Sequence, residues 1–176
     1  MSDATPTPAA EDDLPEQMLV RRTKRKQLLD AGEDPYPVVV DRTHTLRQVV
    51  SAYDAEALGA DVQTGDIASI AGRVIFLRNT GKLCFVRLRE GDGTELQAML
   101  SLDLVGDERL AAFKALVDIG DHLAVTGEII TSRRGELSVQ ATAWQLAAKT
   151  MRPLPNEHNP LSDEARSRMR YVDLIV

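Results

Sequence analysis

Residues 71–101 read AGRVIFLRNTGKLCFVRLREGDGTELQAMLS, and this stretch decides what kind of fold the chain can adopt. Two glycine-bearing turns, Asn79-Thr80-Gly81 and Gly91-Asp92-Gly93, separate apolar-alternating runs, which predicts a meander of three short strands. Successive side chains of a strand point to opposite faces. Cys84, Val86 and Leu88 of the middle strand therefore share an apolar face, while Leu83, Phe85, Arg87 and Arg89 share the other. In the third strand Leu96, Ala98 and Leu100 are expected to face inward, with Glu95, Gln97 and Met99 outward on the side of Phe85. A ring beside arginines, with a carboxamide that donates and accepts, is equipment for stacking an unpaired base and hydrogen-bonding its edge. The alternation suits equally a Phe85 that plugs a barrel end or packs under a helix.

Downstream, Leu110, Ala111, Phe113 and Leu116 recur at helical spacing over Asp107–Val117, ended by Asp118-Ile119-Gly120. Two further strands, His122 to Ile130 and Leu137 to Leu146, are joined by the turn Arg133-Arg134-Gly135. Three strands, a helix and two strands is the order of an OB-fold. The expected class is mainly β with flanking helices: a five-stranded OB-fold barrel with a capping helix between strands three and four, preceded by two helices. In the last strand Leu137, Val139 and Ala141 are expected inward and Glu136 and Ser138 outward, with Trp144 in the core or at a barrel end.

Upstream, Met1 to Asp13 is acidic, rich in Ala, Pro and Thr, and expected to be disordered. From Leu14 and Pro15 a helix is predicted, with Met18, Leu19, Arg22, Arg25, Lys26 and Leu29 at helical spacing and Gly32 as its stop. It carries Arg21, Arg22, Lys24, Arg25 and Lys26, which form either a solvated face or a phosphate-binding one. Asp34-Pro35-Tyr36-Pro37 cannot continue it. A second helix, capped by Thr43 or Thr45, is expected to bury Leu46, Val49, Val50 and Tyr53, and Thr64-Gly65-Asp66 to close this lead-in.

The 176 residues, 43% of them hydrophobic, suffice for one domain with a core plus extensions. A net charge of −6 would argue against nucleic acid only if charge were spread evenly. Asp3, Glu11, Asp12, Asp13 and Glu16 crowd the first twenty residues, so local charge decides. The single Cys84 excludes an internal disulfide and a Cys-based metal site and fits a reducing compartment. No apolar run approaches a membrane span and no signal-peptide pattern opens the chain, so a cytoplasmic protein without membrane contact is expected. His44, His122 and His158 lack metal-ligand spacing, and Gly91-Asp92-Gly93 is too short for a phosphate loop. No catalytic residue and no metal ligand is predicted.

Met151-Arg152-Pro153-Leu154-Pro155 reads as an extended connector. Ser162 then caps a helix whose stripe of Ala165, Met169, Val172 and Ile175 or Val176 runs to the terminus without a stop, the expectation for a chain cut from something larger. The expected organisation is a tail (1–13), a helical extension (14–66), the barrel (67–148), a linker (149–160) and the start of a further helix (161–176).

Gly72-Arg73-Val74 through Arg78, Gly81-Lys82, Phe85-Val86-Arg87-Leu88, Gly127, Arg134-Gly135-Glu136-Leu137-Ser138-Val139, residues Lys149 to Pro155 and Arg168-Met169-Arg170-Tyr171-Val172-Asp173-Leu174-Ile175 together resemble the N-terminal region of bacterial class II lysyl-tRNA synthetases. The similarity spans roughly Leu14 to Val176, with the connector and RMRYVDLI as its most specific part. It implies an anticodon-binding barrel, followed by the start of the dimer-forming motif 1 helix. Phe85 would stack the central uridine of the lysine anticodon, with Arg78, Gln97 and Glu136 reading base edges. Arg21, Arg22, Lys24, Arg25, Lys26 and Arg87 are the candidate contacts to the tRNA backbone. The implied partners are lysine tRNA and, for the full-length enzyme, a second copy through motif 1. ATP and Mg belong to the catalytic domain of that family, whose motifs 2 and 3 are absent here, so no cofactor is expected in this chain and it should not activate lysine. Ser167 and Met169 stand where tyrosine and glutamine are more usual in the motif 1 approach. An aspartyl or asparaginyl relative, a free-standing single-stranded nucleic-acid-binding OB protein and a protein-interaction barrel are the alternatives. Pro153-Leu154-Pro155 and Gly135-Glu136-Leu137 favour lysine.

Overall fold

β1 (Gln63–Asn79), β2 (Leu83–Arg89), β3 (Glu95–Ser101), β4 (His122–Thr131) and β5 (Leu137–Ala148) close into a barrel in the order β1-β2-β3-β5-β4. The computed structural model describes residues 15–155 and 161–174. The acidic tail, part of the linker with His158, and Ile175 and Val176 lie outside the described residues. β3 and β5 run parallel, and the other neighbours are antiparallel. The inward sides follow the alternation: Val86, Leu88, Ala98, Leu100, Val139 and Ala141 are fully buried. Each buried Val or Leu contributes about 1.5–3 kcal/mol relative to exposure.

β1 departs from the short strand expected. Its 17 residues serve two neighbours in succession, β4 up to Arg73↔His122 and β2 from Arg73↔Arg89 to Asn79↔Cys84. Thr64-Gly65-Asp66 lies inside this strand instead of closing the lead-in, because the Thr64 hydroxyl donates to the Ile129 carbonyl at 2.7 Å and the Gly65 amide to Glu128 Oε1 at 2.8 Å. The three residues form a bulge between Gln63↔Ile130 and Ile67↔Glu128, with Gly65 at φ +79° and the Asp66 amide donating to the Thr64 hydroxyl, so the local turn is kept inside the strand. Where β4 and β5 cross, a Cβ on Gly127 would fall 2.0 Å from the Gln140 carbonyl oxygen, so only glycine admits the approach.

Two short helices, α4 (Leu102–Val105) and α5 (Asp107–Leu116), follow β3, and α5 buries Leu110 and Phe113 over one barrel end. Phe113 meets Trp144 edge-on, with ring centroids 5.4 Å apart, so Trp144 is a core residue as expected. Arg109 clamps the same ring: its guanidinium sits over the indole at 4.2 Å and donates to the Trp144 carbonyl at 2.7 Å.

Ahead of the barrel, α1 (Glu16–Asp30) ends near Gly32, whose φ of +75° permits the stop. Its packed face is not the expected stripe. Leu28 and Arg21 are buried, whereas Leu29 is exposed. The reason is that the inner face of α1 meets carbonyls and a carboxylate at the barrel end, so Arg21 and Lys24 line it alongside Leu28. α2 (Leu46–Ala52) opens with a reciprocal capping box between Thr45 and Gln48 and buries Leu46 and Val49. Val50, expected in that stripe, is 42% exposed because the helix ends after seven residues and rests one edge on the barrel. A single-turn α3 (Ala55–Leu58), capped by Asp54, was not predicted. The final helix is not continuous. Ser162 caps α6 (Asp163–Arg168) as expected, but Met169 leaves the helical region at φ −113° and ψ 51° before α7 (Arg170–Asp173).

Candidate nucleic-acid interface

A bulge at Ile75 organises the outer face of the sheet. Val74 pairs with Leu88, but Phe76 pairs with Arg87, so one residue of β1 has no partner. The insertion reverses the alternation: Val74 points into the core, and beyond the bulge Leu77 takes the inward position while Phe76 and Arg78 turn outward. Phe76 is 50% exposed.

Paired residues of neighbouring strands share a side, so the registers define two rows across this face. One row runs Arg78–Phe85–Met99–Gln140 and the next Phe76–Arg87–Gln97–Ser138. Phenylalanine and arginine thus alternate in a two-by-two block on β1 and β2. Of the residues expected to read bases, Phe85, Arg78 and Gln97 stand in this block or beside it. Glu136, in the turn ahead of β5, reaches it by pairing with Arg87 at 2.6 Å.

The amide of Gln97 is held. Its Nε2 donates to Ser138 Oγ at 2.9 Å, and that hydroxyl donates onward to the Glu136 carbonyl at 3.0 Å. This leaves Gln97 Oε1 free to accept from a base N–H. Ser138 was expected to be exposed, yet it is fully buried, because Gln97 bonds onto it from the same side. Beside these residues Tyr53 and Asp54, at the α2–α3 junction, wall a shallow groove of about 570 Å³ with Arg87, Gln97 and Glu136. The Tyr53 hydroxyl donates to Asp66 at 2.6 Å, and that bond pushes its pKa up.

The face is less basic than the sequence suggests. Arg87 is engaged by Glu136 and Arg89 by Glu95, each at 2.6 Å. Arg78 is exposed and its guanidinium has no partner among the described residues.

The five cations of α1 do not form one solvent face, which corrects the expectation for that helix. Arg21, 8% exposed, donates to the Thr150 carbonyl at 3.0 Å and the Ile119 carbonyl at 2.8 Å. Lys24 pairs with Asp118 at 2.6 Å. Arg25 lies over the Tyr36 ring at 5.8 Å. Only Arg22 and Lys26 point into solvent, Lys26 within reach of Asp30 at 2.7 Å. Nothing in the sequence marks Asp118, Asp121 and Lys149 as a group. Their spacing carries no local signal, since they converge only when the barrel closes.

Among the described residues no group of three or more His, Cys, Asp or Glu side chains is arranged to hold a metal ion. No helix among them is long and apolar enough to cross a membrane.

Residues 68–147 match the tRNA anti-codon family, described as an OB-fold nucleic acid binding domain. The barrel has the OB-fold. The chain is also 58% identical, over 94% of its length, to a lysine–tRNA ligase of Mycobacterium tuberculosis (strain ATCC 25177 / H37Ra). The lysine–tRNA ligases of Kineococcus radiotolerans and Bacillus subtilis (strain 168) share 53% and 40% identity over 94% of the chain. The chain spans about a third of the length of these curated relatives, 32–33%.

Proposed function

We propose that the outer face of this barrel binds the anticodon loop of lysine tRNA, and that the chain acts as the anticodon-recognising part of a lysine–tRNA ligase. The observation that carries the reading is the row in which Arg78 lies directly across from Phe85, one step from the oriented amide of Gln97. Phe85 offers a ring on which an unpaired base stacks whatever its identity. Arg78 donates to base or phosphate oxygens, Gln97 Oε1 accepts from a base N–H, and Glu136 accepts likewise once a ligand competes with Arg87. A uracil presents both carbonyl oxygens and an imino N–H, which this set complements. Arg22 and Lys26 on α1 supply sequence-independent attraction to the backbone. The reading assigns attachment of lysine, with its ATP and Mg, and self-association through the motif 1 region to the full-length ligase. No residue of this chain is given a catalytic role.

Binding to a panel of anticodon stem-loops at fixed salt tests the proposal. A preference for the lysine anticodon over the asparagine and aspartate ones, lost together with affinity in Phe85→Ala, is expected. Equal binding to every loop would return the barrel to an unspecific single-strand binder, and no binding at all would remove nucleic acid as its ligand.

A further inference from the structure

Beside the half-buried Phe85 the face carries a more exposed ring, Phe76, with no structural task. Phe76 is 50% exposed in the interior of β1, where an outward phenyl adds nothing to the core. Only the unpaired residue at the Val74/Phe76 shift turns it out; with unbroken alternation Phe76 would follow Val74 inward. It lies opposite Arg87 and diagonal to Phe85, a separation of about 7 Å between diagonal cross-strand neighbours. β1 is paired with β4 only as far as Arg73↔His122, so Phe76 lies on the stretch of β1 flanked by β2 alone.

We propose that Phe76 is a second stacking platform, holding the base of the nucleotide next to the one over Phe85 in a single-stranded RNA. This rests on the reading of the face as an RNA site and adds to it the path of the strand, from the Gln97 and Glu136 side across Phe85 and out over the β1 edge. The alternation of two phenyl rings with Arg78 and Arg87 gives each base a ring and each adjoining phosphate a guanidinium within reach. Because a phenyl face meets every base alike, Phe76 contributes affinity without discrimination.

The test measures binding of the full chain to a lysine anticodon stem-loop, intact and with each loop nucleotide made abasic in turn. Phe76→Ala and Phe76→Thr should each weaken the intact loop roughly 5- to 150-fold, with Phe76→Tyr close to wild type. Threonine suits a strand, so it keeps the comparison valid if alanine loosens β1. One abasic position should abolish the effect of Phe76→Ala, and a different, adjacent one the effect of Phe85→Ala. Phe76 variants that bind every probe like wild type, while Phe85→Ala loses affinity, overturn the second platform and leave the proposed site standing. A single abasic position that silences both variants overturns it too, since both rings would then hold one base. Failure of the wild type to bind any loop removes the underlying reading and the inference with it.

Discussion

Lys149 Nζ lies 2.7 Å from Asp121 Oδ2, and neither side chain is reached by solvent. The ammonium also meets Asp118 Oδ2 at 2.5 Å and the Leu116 carbonyl at 2.8 Å, while Asp121 Oδ1 accepts from the Thr150 amide at 2.8 Å. Through Lys24 on Asp118, and Arg21 on Ile119 and Thr150, the cluster ties α1, the α5–β4 loop and the start of the connector to one barrel end. A buried pair of this kind adds little over an apolar core, but removing one partner leaves an uncompensated charge.

Lys149→Ala is therefore expected to cost about 3–5 kcal/mol, read as a lower denaturant midpoint in equilibrium unfolding. A variant as stable as wild type would mean that water reaches Asp121.

Acid should act on the same cluster. Burial raises the pKa of Asp118, but its hydrogen bonds to Lys149 and Lys24 outweigh that and hold it below the ordinary value. A lowered carboxylate contributes stability that is present above its unfolded pKa and lost as pH falls through the folded one, so the loss lies below about pH 4. His122 is lowered by burial and by the neighbouring Arg73, with Asp121 opposing. The unfolded chain binds that proton first, so stability should already decline as pH drops below about 6.5. His122→Gln should flatten the slope near pH 6 and leave the acid limb intact, which melting curves across pH will resolve.

Arg21 and Arg22 are neighbours with opposite tasks. Arg21→Ala orphans the carbonyls of Ile119 and Thr150 and should cost about 2–3 kcal/mol, or roughly 4–12 °C in Tm. Arg22→Ala combined with Lys26→Ala should leave Tm unchanged, weaken all tRNAs alike and reduce the salt slope by roughly one to two units. If the pair changes no tRNA affinity, α1 is only a structural clamp.

Ser138→Ala removes the hydroxyl that orients Gln97. The expected result is a smaller preference for the lysine anticodon with a stability loss of about 1–3 kcal/mol, because the bonds to Gln97 and to the Glu136 carbonyl are both lost while the apolar core is untouched. Discrimination equal to wild type would show that Gln97 orients itself on the ligand.

Gly127→Ala should destabilise at the upper end of about 1–3 kcal/mol, since the new methyl meets backbone at 2.0 Å and backbone cannot rotate away. Thermal unfolding checks this, and a neutral result would require β4 and β5 to separate there without penalty.

The sequence by itself determined whatever depends on nearest neighbours. Period-two alternation in β2 and β3 placed Phe85 and Gln97 outward and Cys84, Val86 and Leu88 inward, because a strand offers each side chain only two directions. Glycine turns and the helix between the third and fourth strands specified the order of an OB barrel. Tertiary structure alone decided the rest. The bulge at Ile75 falls just past the point where β1 passes from β4 to β2, and it turned Phe76 and Arg78 onto the face, an outcome no run of residues announces. Contacts with β4 likewise held Thr64-Gly65-Asp66 as a bulge within a strand, and pairing of β3 with β5 put Ser138 beside Gln97. The basic run of α1 looked uniform in one dimension. Its division into structural and solvent cations was fixed by which charges met Asp118 and the carbonyls of Ile119 and Thr150, since a charge is satisfied by whatever lies across the fold and not by its neighbours in the chain.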